Sequence, residues 1–333
     1  MKDGLSFGIG IFPHEERRST LEVVEAVKAA EEAGFSHGWK ADTQGIFRDP
    51  YVTLTLCAVE TSTIKLGTAV TNPITRHPAV TARALGTLDE ICDGRAILGI
   101  GAGDTAFLHL GLKPASTKVL EDAITCMRCL LDGKDGAYGG RRVPALSHFE
   151  PRKVPIYLAA NGPKMLALGA RLCDGVIASV GATYKVLRYV VETVHQAAEG
   201  AGRDPKSVDI VVQIGCDVSE DREQARRNVR TYVARRPIAA VPLEKTGFTA
   251  EEARRFKKAY NYQEHMRIDA KHADLVPEEW IDHFSLAGTP GEVVEKLDPF
   301  VRAGVNQVFL LSTTRESKSL IRTFQEKIMP AIV

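Results

Sequence analysis

The feature that most constrains the fold of this chain is a strict alternation of strand-like and helix-like segments along its length. Short apolar runs are each followed by a segment whose apolar residues recur at helical spacing, and eight such units can be counted. Because parallel strands are joined by crossover helices, this alternation indicates a parallel α/β fold. The predicted strands cover residues 5–12, 37–41, 64–71, 95–101, 155–160, 175–179, 208–214 and 307–311.

Eight strand–helix units predict a closed (β/α)8 barrel, the TIM barrel, with residues 1–333 forming a single domain. An open doubly wound sheet is the alternative, but a Rossmann fingerprint should then follow the first strand. The segment from Gly8 to Pro13 lacks the third glycine of that fingerprint. Residues 235–285 depart from one helix per strand, with a charged, helical-looking stretch over 249–271. They predict a helical insertion near the seventh strand, serving as a lid or a dimer surface.

The composition limits the partners and chemistry that we expect. Lys and Arg number 43 against 42 Asp and Glu, so a net charge of +1 offers no general attraction for nucleic acid or a membrane surface. The chain has no run of about 18 apolar residues and no signal-peptide pattern, from which we expect a cytoplasmic protein. Six cysteines are scattered through apolar segments, which is typical of buried packing. Cys126 and Cys129 share one face of a predicted helix without a second zinc-ligand pair, so we expect no metal site.

In such a barrel, the functional residues lie at the carboxyl ends of the strands and in the loops that follow. Near the end of the second strand, Lys40 and Asp42 alternate onto one face, which we place inward or toward the mouth. This charged pair indicates either a functional site or a structural ion pair of Asp42 with Arg76 or Arg48. After the third strand, His77 could transfer protons near neutral pH, or it could cap a loop.

Two glycine-containing turns are candidates for holding a ligand. The turn around Gly101, after the fourth strand, would let a flat ligand approach the backbone, although an ordinary tight turn explains it equally well. After the fifth strand, the run Asn161-Gly162-Pro163-Lys164 puts proline at a helix start, where free N–H groups and the helix dipole bind anions. A phosphate site and a plain strand-to-helix turn both remain open there.

A set of segments, taken in order, resembles the bacterial luciferase-like superfamily. Within it, the segments are most similar to the coenzyme F420-dependent methylenetetrahydromethanopterin reductase group. The segments are 64–73, 78–82, 87–90, 94–96, 98–104, 155–165, 173–176 and 288–290. Each is short, but the collinear set is specific for the superfamily, and it runs from Phe7 to Leu311 with its weakest part across 235–285.

The resemblance implies a TIM barrel that binds FMN or the deazaflavin F420 at its C-terminal mouth and moves a hydride. The family's kink under the flavin ring maps onto Ala69, Val70 and Asn72, with a cis peptide at Ala69–Val70 or immediately beside it. The phosphate contacts fall on Asn161, Gly162, Ser179, Gly181 and Ala182.

The sequence departs from the family after the second strand. Many members carry Asp-His there, whereas this chain has Asp42 and Thr43, so a proton-donor role is not carried over to that position. The candidate catalytic residues are Asp42, Thr43 and Lys40. The candidate cofactor contacts include Gly101, Pro163 and Lys164 beside the residues given above.

Three functions are consistent with this resemblance. The first is an oxidoreductase that transfers a hydride between reduced F420 and a small organic substrate, the second is a reduced-FMN-dependent monooxygenase, and the third is a flavin-binding protein without turnover. F420 is favoured over FMN because the motifs are most similar to the F420 group. Its acidic tail requires a basic cluster, for which Arg76, His77, Lys164 and Lys185 are available. Relatives are often homodimers or larger, so we expect a homo-oligomer without nucleic-acid or membrane partners.

Overall fold

The structure, a computed structural model, describes residues 4–10, 19–103, 107, 110–235, 249–261, 270–313 and 317–332. Residues 11–12 of the first predicted strand lie outside the described residues. The same is true of 236–248 and 262–269 in the predicted insertion.

Eight parallel strands close into a barrel, which confirms the predicted (β/α)8 architecture. The described residues form eleven strands, of which eight make the barrel. They are β1 (Ser6–Gly10), β2 (His37–Lys40), β3 (Lys65–Thr68), β4 (Ala96–Ile100), β5 (Gly136–Tyr138), β6 (Arg141–Val143), β7 (Ile156–Ala159), β8 (Gly175–Ala178), β9 (Asp209–Val218), β10 (Ser285–Gly288) and β11 (Gln307–Ser312). Around the ring the order is β1, β2, β3, β4, β7, β8, β9 and β11. Strand β11 pairs with β1, Ser6 opposite Gln307, and so closes the ring.

The helices lie between the strands and cover the outside of the barrel. They are α1 (Thr20–Glu32), α2 (Pro50–Glu60), α3 (Pro78–Ile91), α4 (Thr117–Leu131), α5 (Pro163–Leu172), α6 (Tyr184–Gly200), α7 (Arg222–Val233), α8 (Ala250–Ala259), α9 (Glu278–Phe284), α10 (Pro290–Ala303) and α11 (Ser317–Thr323). Helix α11 continues into a π-helical turn, Phe324–Ile328, and short 3-10 turns cover Pro205–Ser207, Lys271–Leu275 and Met329–Ala331. Within the described ranges, no helix has the length and apolar character needed to cross a membrane.

Two strand pairings, β9 with β10 and β5 with β6, were not expected from the sequence. Strand β9 runs on past the predicted end at 214, and its residues 215–218 pair with the four-residue strand β10. Strands β5 and β6 form an antiparallel hairpin where we expected a loop, joined by Gly139 and Gly140 at φ values of 59° and 74°. Both additions are short, so neither contains enough residues for a period-2 pattern.

The predicted helix over 249–271 is shorter in the structure. Helix α8 begins at a capping box of Thr249 and Glu252 and ends at Ala259, because Tyr260 has an extended conformation with ψ of 120°. The chain from Lys271 to Leu275 is a 3-10 turn rather than a continuation of α8. The described parts of the insertion are therefore helical, as expected, and consist of separate short helices.

The lower part of the barrel interior is filled by large side chains. Trp39 lies at its centre, donates its indole N–H to Gln307 Oε1 at 2.9 Å, and stacks on Phe309. A Cβ added to Gly67 would lie 2.5 Å from the indole ring, so a glycine is needed there. Toward the C-terminal end, the inward positions carry small residues instead. These residues are Ala41, Ala69, Gly101 and Ala159, and we call the part of the mouth that they line the cup.

The opposite end of the interior holds a buried histidine. His37 is 7% exposed, and its Nδ1 accepts a hydrogen bond from Gln307 Nε2. The amide orientation of Gln307 is set by Trp39, since Gln307 Oε1 accepts from the indole. The protonated Nε2 of His37 has no hydrogen-bond partner among the described residues. Burial, followed by the charge of Lys65, lowers the pKa of His37 to about 3.

Candidate active site at the mouth of the barrel

Asp42 lies just beyond the end of β2, at the rim of the cup. Its carboxylate is 6% exposed and accepts hydrogen bonds from Thr71 Oγ1 at 2.6 Å and from Arg76 Nε at 3.1 Å. Both partners belong to the segment between β3 and α3. The ion pair with Arg76 that we considered from the sequence is therefore present, and it fixes the orientation of the carboxylate.

Arg76 joins Asp42 to the start of α2. Its Nη2 donates to Asp49, and its guanidinium lies over the ring of Tyr51, 5.0 Å from the centroid. Asp49 in turn caps α2, because its Oδ1 accepts from the backbone N–H groups of Tyr51 and Val52 at 2.9 and 3.2 Å. Burial opposes ionisation of Asp49, but the N–H of Val52 and the guanidinium outweigh it and lower its pKa. Burial and the charge of Asp42 raise the pKa of the Tyr51 hydroxyl, so this phenol stays protonated.

The placement of Lys40 differs from our expectation. Trp39 points into the barrel, so Lys40, its neighbour along the strand, lies on the outer face of β2. Its ammonium is buried over the ring of Phe47, 5.2 Å from the centroid, and lies near the Cys57 thiol. Lys40 therefore does not share an inward face, and Asp42 reaches the mouth because it lies beyond the end of the strand.

Thr43 begins the turn that follows Asp42. Its carbonyl accepts from the N–H groups of Ile46 and Phe47 at 2.9 and 2.8 Å, and its side chain is half-buried. The residue is therefore beside the cup, on the same loop as Asp42.

The segment after β3 forms the floor of the cup on this side. The peptide between Ala69 and Val70 is cis, which confirms the expected position. Asn72 is 2% exposed, and its Oδ1 accepts from the backbone N–H groups of Ile74 and Thr75, so its carbonyl is used to hold the loop. Gly101 lies against this segment: a Cβ there would be 2.8 Å from Val70 Cγ2. Val70 and Gly101 thus lie against each other beside the cis peptide.

A polar group lies on the other side of the cup. Ser179 donates its backbone N–H to Asn161 Oδ1 at 2.7 Å and its hydroxyl to Gln213 Oε1 at 3.1 Å. The Tyr232 hydroxyl donates to the carbonyl of Gln213 at 3.3 Å. These contacts join the residues that follow β7 and β8 to the middle of β9, on a side of the ring away from β3.

The starts of α5 and α6 lie beside this polar group. Gly162 is the N-cap residue of α5 and Thr183 is the N-cap residue of α6, and neither makes a side-chain hydrogen bond to its helix. The barrel helices α1, α2, α3, α4, α7 and α10 are capped by Ser19, Asp49, His77, Ser116, Asp221 and Thr289. The helices after β7 and β8 therefore offer first-turn N–H groups to a ligand, as an anion site requires. The seven-residue α9 also lacks a side-chain cap, but it belongs to the insertion.

The loop before α6 is held by the insertion. Ala182 donates its N–H to the carbonyl of His283 at 2.7 Å, and Gly181 has φ of 116° with its Cα close to the same carbonyl. A side chain at Gly181 would therefore displace α9. The predicted phosphate loop and the insertion thus meet at one point.

The four basic residues considered for an acidic tail lie in two places. Arg76 is held by Asp42 and Asp49, and His77 accepts from Ala79 N–H as the cap of α3. Lys164 and Lys185 are exposed in the first turns of the neighbouring helices α5 and α6. Lys164 and Lys185 are therefore the two of the four that lie beside the uncapped helix starts.

Several site residues were not identified from the sequence. Asp49 followed by Pro50 is a helix-start pattern that marks a cap, although its ion pair with Arg76 is a tertiary contact. Gln213 lies on the same face of β9 as the interior residue Val211, so strand alternation could have indicated it. Tyr232 could not be identified, because α7 approaches the mouth only through the tertiary fold.

The arrangement suits a flat ligand with a phosphate. The cup offers small apolar side chains on one side and hydrogen-bonding groups on the other, with two helix starts for an anion and one fixed carboxylate, Asp42. Within the described ranges, no group of three or more His, Cys, Asp or Glu residues could hold a metal ion.

Comparison with known proteins gives matches over nearly the whole chain. A family model for luciferase-like monooxygenases matches residues 5–307. A 5,10-methylenetetrahydromethanopterin reductase of Archaeoglobus fulgidus is 35% identical over 98% of this chain and 100% of its own. An F420-dependent glucose-6-phosphate dehydrogenase of Mycolicibacterium fortuitum is 26% identical over 97% of each chain. The solved structure of the coenzyme F420-dependent tetrahydromethanopterin reductase from Methanopyrus kandleri superposes with a TM-score of 0.84, at 28% identity over 99% of this chain and 100% of that one.

Proposed function

Because the chain belongs to the luciferase-like monooxygenase family, we propose that it is an oxidoreductase that transfers a hydride between reduced coenzyme F420 and a small organic substrate. Relatives that match it end to end are named as a reductase and as F420-dependent enzymes. The cofactor, when bound, supplies the hydride. The work left to the protein is to bind the ring, orient the substrate and exclude water.

The observation that carries the proposal is the cup of small side chains next to two uncapped helix starts. A deazaflavin ring would lie against Ala69, Val70 and Gly101, where larger side chains would fill the space. Its phosphate would be held by the first turns of α5 and α6, with Asn161, Gly162, Pro163 and the loop Ser179–Ala182 around it. The acidic tail would then reach Lys164 and Lys185, which are exposed beside these turns.

We assign the catalytic contact to Asp42, with Thr43 next to it. Asp42 is fixed by Thr71 and Arg76 at the rim, where a substrate above the ring would meet it. A carboxylate that is oriented before binding stabilises positive charge or holds a proton without reorganisation. Lys40 supports the site from the outer face of β2 and is not expected to touch the substrate.

The proposal is tested by asking which cofactor the protein holds. We would express it in a host that makes both FMN and F420, identify the copurified ligand by absorbance and mass, and titrate the apoprotein with each. We expect tighter binding of F420. Hydride transfer would then be assayed with 5,10-methylenetetrahydromethanopterin and with glucose 6-phosphate, the substrates in the names of two relatives. Equal or tighter binding of FMN would contradict the assignment of the cofactor.

A reduced-FMN-dependent monooxygenase is the second candidate, favoured by the name of the family itself. A deazaflavin forms no productive adduct with oxygen, so oxygen consumption separates the two functions. Oxygen uptake with reduced FMN and a substrate would support the monooxygenase. Binding of a flavin without hydride exchange across the substrate panel would support the third possibility, a flavin-binding protein without turnover.

We further propose that the chain is one domain, acts in the cytoplasm and forms a homo-oligomer. Its cysteines support the compartment, because all six are free and five of them are buried. Two exposed apolar side chains on the outer face of α2, Val52 and Val59, each 63% exposed, support the oligomer.

A further inference from the structure

The loop between β8 and α6 is held at its two ends by different parts of the molecule. At its start, Ser179 bonds to Asn161 and Gln213, which lie after β7 and on β9. At its end, Ala182 donates its N–H to the carbonyl of His283 at 2.7 Å, and His283 belongs to α9 of the insertion. The insertion therefore fixes the residues from which α6 begins.

The bond between Ala182 and His283 joins two helix ends. His283 lies in the last turn of α9, where carbonyl groups have no partner N–H within the helix. Ala182 directly precedes Thr183, the N-cap residue of α6. Because the acceptor is a backbone carbonyl, the bond depends on where α9 lies and not on the side chain at position 283.

Gly181 shows how closely the loop approaches α9. Its φ is 116°, and a Cβ added there would lie 2.6 Å from the carbonyl oxygen of His283 and 3.1 Å from the ring of Phe284. Glycine adopts such a φ without steric cost. A larger residue would push the loop and α9 apart, so the loop can take this position only while α9 is correctly placed.

The position of α9 depends on tertiary contacts, because a helix of seven residues is not stable alone. Arg226 of α7 is 4% exposed, and its guanidinium donates to Asp282 Oδ1 at 2.7 Å and to Glu278 Oε2 at 2.9 Å. Glu278 and Asp282 are four residues apart, on one face of α9. The planar guanidinium thus sets both the rotation and the height of α9 against α7.

Asp282 links α9 to a second helix of the barrel. Lys296 of α10 donates to Asp282 Oδ1 at 2.9 Å and to the carbonyl of Ala287 at 2.7 Å. Burial opposes ionisation of Asp282, but the hydrogen bonds from Arg226 and Lys296 outweigh it and lower its pKa. The carboxylate is therefore charged at neutral pH and holds α9 to both α7 and α10.

We propose that Arg226 and Asp282 are positioning residues for the phosphate of the cofactor. Through α9 and the carbonyl of His283, they hold Gly181 and Ala182 so that the first turn of α6 faces the phosphate. The inference rests on the phosphate site of the proposed function and adds that the insertion is coupled to it. Because such coupling is reciprocal, a phosphate bound at α6 should in turn stabilise the position of α9.

Asp282→Ala tests the proposal, because it removes the carboxylate and leaves the buried Arg226 in place. Asp174→Ala is the matched control. Asp174 is 40% exposed against 44% for Asp282, is also paired with an arginine, Arg128, and lies just before β8, at the other end of that strand from the loop. Each protein would be titrated with F420 and with deazariboflavin, which lacks the phosphate and the tail. The same titrations with FMN and riboflavin isolate the phosphate alone.

We expect Asp282→Ala to weaken the binding of F420 and of FMN about tenfold and to leave the binding of the two phosphate-free compounds unchanged. A displaced helix start lowers the affinity only for a ligand that carries a phosphate. Asp174→Ala should bind all four compounds as the wild type does. Far-UV circular dichroism would verify that each variant is folded.

Gly181→Ala changes the same contact from the side of the loop, since the added Cβ would displace α9. It should also weaken the two phosphorylated ligands. If Asp282 acts through this contact, the double variant should be about as weak as the weaker single variant. Additive losses would show that Asp282 acts by another mechanism and would overturn the proposal.

Hydrogen exchange measures the coupling in the opposite direction and needs no cofactor. Inorganic phosphate, compared with chloride at equal ionic strength, should slow exchange in the peptide covering 278–284 of the wild type. It should have no such effect in Asp282→Ala. A merely structural role of Asp282 predicts no response of α9 to phosphate in either protein, and that result would overturn the proposal.

The titrations separate this inference from the proposed cofactor. Equal weakening of phosphorylated and phosphate-free ligands would give Asp282 a general role in the fold and overturn the inference. Tighter binding of F420 and FMN by Asp282→Ala would also overturn it, because the carbonyl of His283 would then compete with the phosphate for the N–H of Ala182. Tighter binding of FMN than of F420 by the wild type would overturn only the cofactor, since either pair of ligands measures the dependence on phosphate.

Discussion

At the scale of single residues, the Asp42 carboxylate is the group whose removal says most about the site. Asp42→Asn keeps the shape and the acceptor for Thr71 while removing the charge. A charge-assisted contact contributes about 1.5 to 3 kcal/mol, so if it strengthens in the transition state the turnover should fall about tenfold or more. Steady-state kinetics with F420 would measure the change.

The control for this variant is Asp298→Asn, which removes an exposed carboxylate paired with Arg302 on α10. We expect its turnover to stay at the wild-type value. Unchanged kinetics in a folded Asp42→Asn protein would instead assign Asp42 to the structural ion pair with Arg76.

The lowered pKa of the buried His37 predicts how the free energy of unfolding depends on pH. Its pKa is about 3 in the folded protein against 6.5 for the free side chain, so between these values the unfolded chain binds the extra proton. Stability from this group is therefore greatest above pH 6.5 and is lost as pH falls toward 3, by about 1.4 kcal/mol per unit. Between pH 7 and pH 5 the loss should be about 2 kcal/mol.

Urea unfolding of the wild type and of His37→Gln at these two pH values would measure the effect. The difference in the free energy of unfolding between pH 7 and pH 5 should be smaller in His37→Gln than in the wild type. It should be unchanged in His195→Gln, which replaces a half-exposed histidine on α6. The prediction fails if the His37→Gln protein keeps the full wild-type dependence.

At the scale of secondary-structure elements, the starts of α5 and α6 carry a prediction about the cofactor. Lys164→Ala should weaken F420 more than FMN, because FMN lacks the acidic tail. The loss of F420 affinity caused by Lys164→Ala should become smaller at higher salt concentration, because salt screens the charge of the lysine. Lys118→Ala is the matched control, since Lys118 occupies the same second position in α4, a helix that Ser116 already caps. Equal weakening of both cofactors in calorimetric titrations would argue against a contact with the tail.

The strands of the barrel were predictable because each unit repeats one pattern. The third strand was predicted over 64–71, but β3 ends at Thr68, and beyond it Thr71 makes an isolated bridge to Ile100 of β4. Strand β10 was not predictable: four residues lie directly between α9 and Thr289, with no turn signal. The Gly139-Gly140 pair does mark a hairpin, and a two-residue turn of this type could have indicated β5 and β6.

The candidate site was predictable where it depends on backbone pattern. Asn161, Gly162 and Pro163 are identified by a helix start, and the structure adds that this helix has no side-chain cap. Contacts between elements that are distant along the chain could not be predicted from the sequence. Residues such as Asp49 and Tyr232 reach the site through the packing of α2 and α7, and one sequence carries no signal for such contacts. The inward placement of Lys40 was wrong for a simpler reason, because the face of β2 was assigned from charge rather than from Trp39.

At the scale of the whole molecule, we expect one cooperative unfolding transition. The insertion is tied to the barrel through Arg226, 4% exposed, which donates to Glu278 and Asp282, and through Lys296, which also reaches Asp282. In Trp39→Phe the remaining tryptophan, Trp280, reports on the insertion, while labelling of buried cysteines reports on the barrel. Coincident urea midpoints are expected for a single domain. An earlier transition at Trp280 would show that the insertion folds separately.

The ring of small inward side chains has a consequence for how this scaffold can diversify. Ala41, Ala69, Gly101 and Ala159 carry no polar side-chain group, so their side of the mouth has few contacts with which to distinguish one substrate from another. The described part of the segment between β9 and β10 adds larger side chains, Phe256 and Trp280 among them, to the same buried cluster as Ala41 and Ala69. The molecule is thereby modular. Exchanging that segment alone between homologues should transplant substrate preference while the deazaflavin half of the pocket is inherited unchanged.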